Sequence, residues 1–268
     1  MIENKFQRLK EMIKDMGSLA VAFSGGVDST FLVKVAHDIL GDKCIAVTAK
    51  SSTYPLREFN EASEFARREG VTHIIVDSEE LDIEGFAQNP TNRCYFCKNE
   101  LFSKIWDVAC ERNIKNVADG SNIDDLGDFR PGMDAARDMK VVSPLKESGL
   151  TKDEIRKLSK DLNLPTWDKP AFACLSSRFP YGNMITREKL QMIEKAEEFL
   201  RDMGFRQIRV RHHENIARIE VGADELSLMF ETEKMRTIAL YVKGLGFAYV
   251  TLDMQGYRTG SMNEVINT

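Results

Sequence analysis

Hydrophobic positions along the chain alternate between short continuous runs and stretches with helical spacing. Phe6, Leu9, Met12 and Ile13 share one face over residues 1–17, and Gly17 supplies a stop. Residues 19–23 form a short apolar run suited to a buried parallel strand. Phe31, Leu32, Val35 and Ile39 then predict a helix over 29–40, closed by Gly41. The alternation continues with a strand at 44–48, a helix at 56–69, a strand at 73–76 and a helix at 97–112. Strands at 116–118 and 141–143 and a helix at 152–161 complete it. Strands alternating with helices predict an α/β fold, an open parallel sheet sandwiched by helices, with ligands at the carboxyl ends of the strands.

The pattern changes after residue 165. Pro165, Pro170 and Pro180 interrupt a stretch with little periodicity, which reads as a linker or active-site loop over 166–186. A helix at about 187–203, strands at about 206–213 and 216–221, helical sequence to about 243 and a strand at 246–252 follow. The expected organisation is a first domain over 1–165 and a small C-terminal α+β domain over 187–268. No apolar run approaches the roughly 20 residues of a membrane span. The first residues lack the apolar stretch of a signal peptide, so a cytoplasmic enzyme without a membrane partner is expected. The net charge of −5 argues against a surface for long nucleic acid.

The chemistry begins at Ser24-Gly25-Gly26-Val27-Asp28-Ser29, between a predicted strand and a predicted helix. Glycines let backbone amides approach phosphate oxygens, and the helix adds its free N–H groups and positive end. Ser24 and Ser29 can donate hydroxyl hydrogen bonds. Asp28 cannot bind bare phosphate and would hold Mg²⁺ or orient the loop. No Gly-Lys-Ser/Thr follows, so this is not a Walker A loop. The hexapeptide resembles the loop of the PP-loop ATP pyrophosphatases, which form AMP and pyrophosphate by adenylating a substrate oxygen. A second polar block holds Asp119, Gly120, Ser121, Asn122, Asp124 and Asp125 and leads to Arg130-Pro131-Gly132. With the loop present, Gly120, Ser121 and Asn122 are expected to face the nucleotide, and Asp124 and Asp125 the substrate.

Five cysteines, an odd number, argue against a disulfide framework. Cys94 and Cys97 are spaced to reach one metal centre near a helix start, where a thiolate is favoured. Cys174 lies in the irregular segment with Lys169, Phe172 and Arg178. Three readings stay open for Cys94, Cys97 and Cys174: a 4Fe–4S cluster with one open iron, a zinc site lacking an evident fourth ligand, or independent thiols. Cys44 and Cys110 are expected to be small core residues.

Taken in order, the loop, Cys94-Tyr95-Phe96-Cys97-Lys98, the 118–125 block, Ser143-Pro144-Leu145 and Cys174-Leu175-Ser176-Ser177-Arg178-Phe179-Pro180-Tyr181-Gly182 resemble the LarE family. The resemblance implies an adenine nucleotide α-hydrolase-like domain and ATP-dependent conversion of a carboxylate of a pyridinium dicarboxylate mononucleotide to a thiocarboxylate. In one version of that chemistry a cysteine at the position of Cys174 gives up its own sulfur. In the other, a cluster-bound sulfide is transferred, and the three cysteines favour this version. The resemblance also implies a homo-oligomer. A tRNA thiolase, an amide-forming ligase and a nucleotide-binding module without catalysis are the alternatives.

A phosphorylated substrate needs a second anion site. Arg209 and Arg211 alternate on one predicted strand face, and Arg258 could add a contact. Glu198 and Glu220 could bind a divalent cation beside the phosphate. Arg178 is expected on the substrate side. His212 and His213 point to opposite faces and carry no assigned role.

Overall fold

The computed structural model describes residues 2–127, 131–171 and 173–261; Arg130 and Phe172 lie outside the described residues. The chain divides into two compact units, Met1–Glu80 with Asn92–Phe172, and Leu81–Thr91 with Ala173–Thr268. One of its boundaries, between residues 172 and 173, lies in the 166–186 segment; the other two do not. Assignment of Leu81–Thr91 to the second unit matches no composition shift in the sequence.

The first unit runs α1 (Ile2–Met16), β1 (Leu19–Ala22), α2 (Val27–Leu40), β2 (Cys44–Lys50), α3 (Leu56–Glu69), β3 (Thr72–Asp77) and α4 (Arg93–Glu111). It continues through β4 (Val117–Ala118), α5 (Pro131–Asp138), α6 (Pro144–Glu147) and α7 (Lys152–Asp161). The strands form a parallel sheet in the order β3-β2-β1-β4. The strand expected at 141–143 is a single parallel bridge from Val142 to Ala118. Successive β1 side chains serve opposite faces. Leu19 and Val21 pack with Phe31, Leu32 and Ala62, while Ala20 packs with Phe102, Ile105 and Ala109. β1 and residues 44–47 of β2 are buried on both faces, which is why their apolar runs are continuous, whereas the edge strand β3 is partly exposed.

The strand order sets the site. From β1 the chain proceeds outward through β2 and β3, then returns to place β4 on the other side of β1. The reversal leaves a crevice at the carboxyl ends of β1 and β4, the place where such sheets bind ligands. Among the described residues no helix is long and apolar enough to cross a membrane.

The second unit contains α8 (Arg187–Asp202), β5 (Ile208–His213), β6 (Ile216–Val221), α9 (Thr232–Gly244) and β7 (Tyr249–Leu252). Its sheet has the order β5-β6-β7, with β5 antiparallel and β7 parallel to β6. Ile208, Val210, Ala217, Ile219 and Val221 pack against Ala196, Leu200, Ile238 and Val242 from the two helices. Segment Leu81–Thr91 is held by Asn89, which is fully buried. Its amide donates to the carbonyls of Phe179 (3.2 Å) and Pro180 (2.6 Å), and its own carbonyl accepts from the Gly182 amide at 3.0 Å.

Candidate active site

The phosphate loop leaves β1 and enters α2. Gly26 is the N-cap and, lacking a side chain, gives the first-turn amides no N-cap hydrogen bond. Gly25 has φ +63°, and a Cβ there would lie 2.9 Å from the Ala62 Cβ of α3. Both the left-handed turn and the close approach require glycine. The Ser29 hydroxyl accepts from the Ser24 amide at 3.2 Å and lies 3.1 Å from the Ser24 hydroxyl, closing the loop on itself. The Tyr54 hydroxyl donates to the Ser24 carbonyl at 2.9 Å.

The 118–122 segment lies against this loop. A Cβ on Gly120 would sit 3.0 Å from the Ser29 nitrogen, so glycine is needed for the two segments to meet. Asp119 shapes the turn: one oxygen accepts the Ser143 hydroxyl at 2.8 Å and the other the Ser121 hydroxyl at 2.6 Å. The Asn122 side-chain amide lies 3.5 Å from the Asp28 carboxylate. Asp124 and Asp125 are occupied locally. Asp125 accepts from the Asn122 amide at 2.9 Å, and Asp124 accepts from the Lys152 amide at 2.7 Å. One oxygen of each carboxylate thus serves turn or helix capping, a use the sequence did not reveal.

Two lysines at this site had no role in the sequence reading. Lys152 forms an ion pair with Asp28. Burial pushes the Asp28 carboxyl above its ordinary value, and the Lys152 ammonium offsets only part of that rise. Lys152 is placed by a capping box in which Thr151 and Glu154 satisfy each other's backbone amides at the start of α7. Thr151-Lys152-Asp153-Glu154 is the sequence signal that could have located it. Lys169 reaches the Gly25 carbonyl at 3.2 Å, Glu58 at 2.6 Å and Glu61 at 2.8 Å.

Cys94 and Cys97 lie in the first turns of α4, three residues apart and therefore on one face. Cys94 is exposed and Cys97 half-buried, with the Cys97 Sγ 3.7 Å from Glu80 Oε1. Gly132 brings α5 against this turn; a Cβ there would lie 3.0 Å from the Lys98 Cγ and 3.5 Å from the Cys94 carbonyl oxygen. Cys44 is buried as expected, and burial pushes its thiol up to about 12. Cys110 is exposed, contrary to the expected core position, because it faces away from the Phe102, Ile105 and Ala109 stripe of α4.

In the second unit Cys174 is half-buried and precedes a 3-10 turn at Leu175–Arg178. Arg178 is fully buried and forms a two-pronged pair with Glu197, at 2.9 and 2.8 Å. It also donates to the carbonyls of Ala173 (2.6 Å) and Cys174 (3.0 Å). Arg178 therefore fixes the backbone around Cys174, and its guanidinium is not presented to a substrate. Burial alone would raise the Glu197 carboxyl, but Arg178, Arg209 and the Val210 amide outweigh it and hold it at about 2.

Glu198 is exposed, and Glu197 is the inward carboxylate. The core positions of α8 run Leu190, Ile193, Ala196, Glu197 and Leu200, and the next residue along turns away from that face. Arg209 is buried, donates to the Ile208 carbonyl at 2.6 Å and lies 5.1 Å over the Tyr257 ring. Burial, with Arg178 nearby, lowers its guanidinium to about 10. Arg211 grips Glu220 at 3.0 and 2.7 Å, and Arg218 reaches the same carboxylate at 3.0 Å. Glu220 thus orders arginines instead of pairing with Glu198 as a cation site. Within each unit, among the described residues, no three His, Cys, Asp or Glu side chains gather to hold a metal ion. Arg258 and Arg218 both lie 3.6 Å from Asp253. Arg178, Arg209, Arg211, Arg218 and Arg258 against Glu197, Glu220 and Asp253 leave an excess of positive charge.

No protein-family model matches the chain. An uncharacterized protein of Synechocystis sp. is 42% identical over 99% of both chains. The pyridinium-3,5-bisthiocarboxylic acid mononucleotide synthase of Lactiplantibacillus plantarum is 35% identical, covering 99% of this chain and 96% of its own. A glutamine-hydrolyzing GMP synthase chain of Archaeoglobus fulgidus is 26% identical over 75% of this chain and 69% of its own. The weaker similarity extends to a PP-loop enzyme and the stronger ones run the full length. The chain therefore belongs to the pyridinium-3,5-bisthiocarboxylic acid mononucleotide synthase (LarE) family.

Proposed function

We propose that this chain is an ATP-dependent sulfur transferase acting on a pyridinium dicarboxylate mononucleotide. The observation that carries the reading is the loop of residues 24–29, opening into an α2 N-terminus with no side-chain cap, with Asp28 and Lys152 beside it. The loop amides and the helix end receive the β- and γ-phosphates. Asp28, whose Lys152 partner is a cation, would hold Mg²⁺ when nucleotide is bound. A substrate carboxylate oxygen attacks the α-phosphorus, and pyrophosphate leaves. Sulfide-level sulfur then attacks the acyl carbon, the carbon–oxygen bond to the adenylate breaks, AMP leaves with that oxygen and the bond's electron pair, and a thiocarboxylate results.

Cys94, Cys97 and Cys174 would hold a 4Fe–4S cluster. Their chemistry fits: each carries a sulfur ligand, none is fully buried, and Cys94 and Cys97 share a helix face. When bound, such a cluster supplies an open iron for sulfide. Cys174 itself stands on a backbone fixed by Arg178, which suits a thiol that must be aimed. The arginine group of the second unit suits the substrate phosphate, with Arg209 and Arg258 as its donors and Arg211, engaged by Glu220 at 3.0 and 2.7 Å, ordering the group. Gly120, Ser121 and Asn122 line the nucleotide. The enzyme is taken to work in the cytoplasm as a homo-oligomer, without a long nucleic acid partner.

Anaerobic iron and sulfide analysis of wild type and Cys174→Ala, after reconstitution, tests the cysteine assignment. The cluster reading expects iron, acid-labile sulfide and broad absorption near 400 nm in wild type, and loss of all three in the variant. Iron-free protein with loss of one sulfur from Cys174 on turnover would replace that reading by sacrificial donation. Co-purified tRNA with salt-sensitive affinity would move the assignment to a tRNA thiolase.

A further inference from the structure

The phosphate loop rests on a Gly-Gly peptide, and such a peptide can turn over with little steric resistance. Its orientation matters. In a trans peptide the carbonyl and the following N–H point in opposite directions. If the Gly25 carbonyl swung toward the anion, it would present an oxygen to phosphate and withdraw the Gly26 N–H. Something must hold that carbonyl away.

Lys169 is the group in contact with it. Its ammonium lies 3.2 Å from the Gly25 carbonyl oxygen. The same ammonium lies 2.6 Å from Glu58 and 2.8 Å from Glu61, both on α3. The Lys169 side chain is 14% exposed and that of Glu58 is 6% exposed. Ala62, on the same helix, packs under Gly25. The backbone around Lys169 is itself fastened, since Arg156 of α7 donates to the carbonyls of Trp167 (2.8 Å) and Lys169 (2.7 Å). Two carboxylates beside an anion site would repel a nucleotide, and Lys169 lies against both. A single cation thus meets the loop carbonyl and the acidic face of α3.

We propose that Lys169 is a positioning residue that latches the Gly25–Gly26 peptide with its N–H toward the phosphate. The proposal rests on the phosphate-loop reading above. It assigns Lys169 no contact with the reacting atoms. Its effect is carried by loop geometry, so it should appear in nucleotide binding and KM for ATP more than in kcat.

Calorimetric titration of the full chain with inorganic pyrophosphate and with MgATP tests it, alongside thermal melting and steady-state kinetics. Lys169→Met is expected to weaken both ligands by about tenfold to a hundredfold, the range of a lost charge-assisted hydrogen bond. Lys169→Arg, which keeps a cationic donor, is expected to recover most of the loss. Adding Glu58→Gln to Lys169→Met is expected to recover only part, because it removes repulsion and leaves the latch missing. Binding by Lys169→Met within about twofold of wild type would overturn the proposal, as would full recovery by Glu58→Gln. If Lys169→Met does not melt cooperatively, Lys169→Gln takes its place, and wild-type affinity in that variant overturns the latch. Failure of wild type to bind either ligand would overturn the phosphate-loop reading itself, and the latch with it.

Discussion

Replacing Glu197 by glutamine should be the most damaging isosteric change in the second unit. The carboxylate is nearly inaccessible and pairs in two-pronged fashion with Arg178, itself fully buried. One Glu197 oxygen also accepts the Val210 amide at 2.9 Å, so the pair ties α8 to β5. Glutamine keeps the shape but leaves a buried guanidinium without its counter-charge. Breaking such a pair from one side costs about 3–5 kcal/mol. The shift of the carboxyl from 4.5 to about 2 points to the same scale, roughly 3 kcal/mol at about 1.4 kcal/mol for each unit. The folded-state value lies below the unfolded one. The stabilisation is therefore complete above the unfolded value and is lost as pH falls through 4.5 toward 2. Hydrogen exchange at the Val210 amide reads this locally, which avoids assuming that the two units unfold together. Protection there should fall by at least about a hundredfold in Glu197→Gln, and wild-type protection should fall between about pH 5 and 3. A change below about tenfold, or a flat pH profile, would refute the reasoning. The double variant Arg178→Met/Glu197→Met should be more protected than Glu197→Gln, because an apolar pair leaves no buried charge.

Other consequences follow from the first unit. Gly25→Ala should abolish pyrophosphate binding, since alanine meets both an unfavourable φ of +63° and a Cβ at 2.9 Å; titration calorimetry on folded variant protein checks this. Gly120→Ala should weaken pyrophosphate binding with little change in melting temperature, because its Cβ would press the Ser29 amide at 3.0 Å. Asp28→Asn should leave the empty protein as stable as wild type or more so above the ordinary carboxylate range, since burial makes ionisation of Asp28 unfavourable there. Pyrophosphate release on turnover should nevertheless be lost. Alkylation followed by mass spectrometry should label Cys94 and Cys110 quickly in the native protein, and Cys44 only after unfolding, because burial holds its thiol at about 12.

The parallel α/β architecture was legible in the chain because its central strands are buried on both faces. Residues 19–22 and 44–47 had to be continuous apolar runs, and the helices on the sheet had to turn apolar side chains toward it. The geometry of the 24–29 loop was legible for a local reason: strand, Gly-Gly and helix are contiguous, so no distant residue is needed to predict the turn. The antiparallel β5–β6 hairpin and α8 were read nearly to their observed ends.

Other features depended on partners far apart in sequence. Nothing local distinguishes Glu197 from Glu198; the inward carboxylate is set by the phase of α8 against β5. Arg178 could be singled out from its motif, but only burial beside Glu197 turned it from a substrate contact into the brace of the Cys174 backbone. The capping partners of Asp124 and Asp125, the Lys152 and Asn122 amides, came from the fold and not from any local signal. Lys152 and Lys169 meet the loop across 124 and 144 positions of sequence. Periodicity and contiguous motifs record what a residue does for its own element, so the sequence determined the elements and the loop. Charge pairing is a property of three-dimensional neighbours, so only the tertiary structure could decide which ionisable groups face a ligand and which neutralise one another.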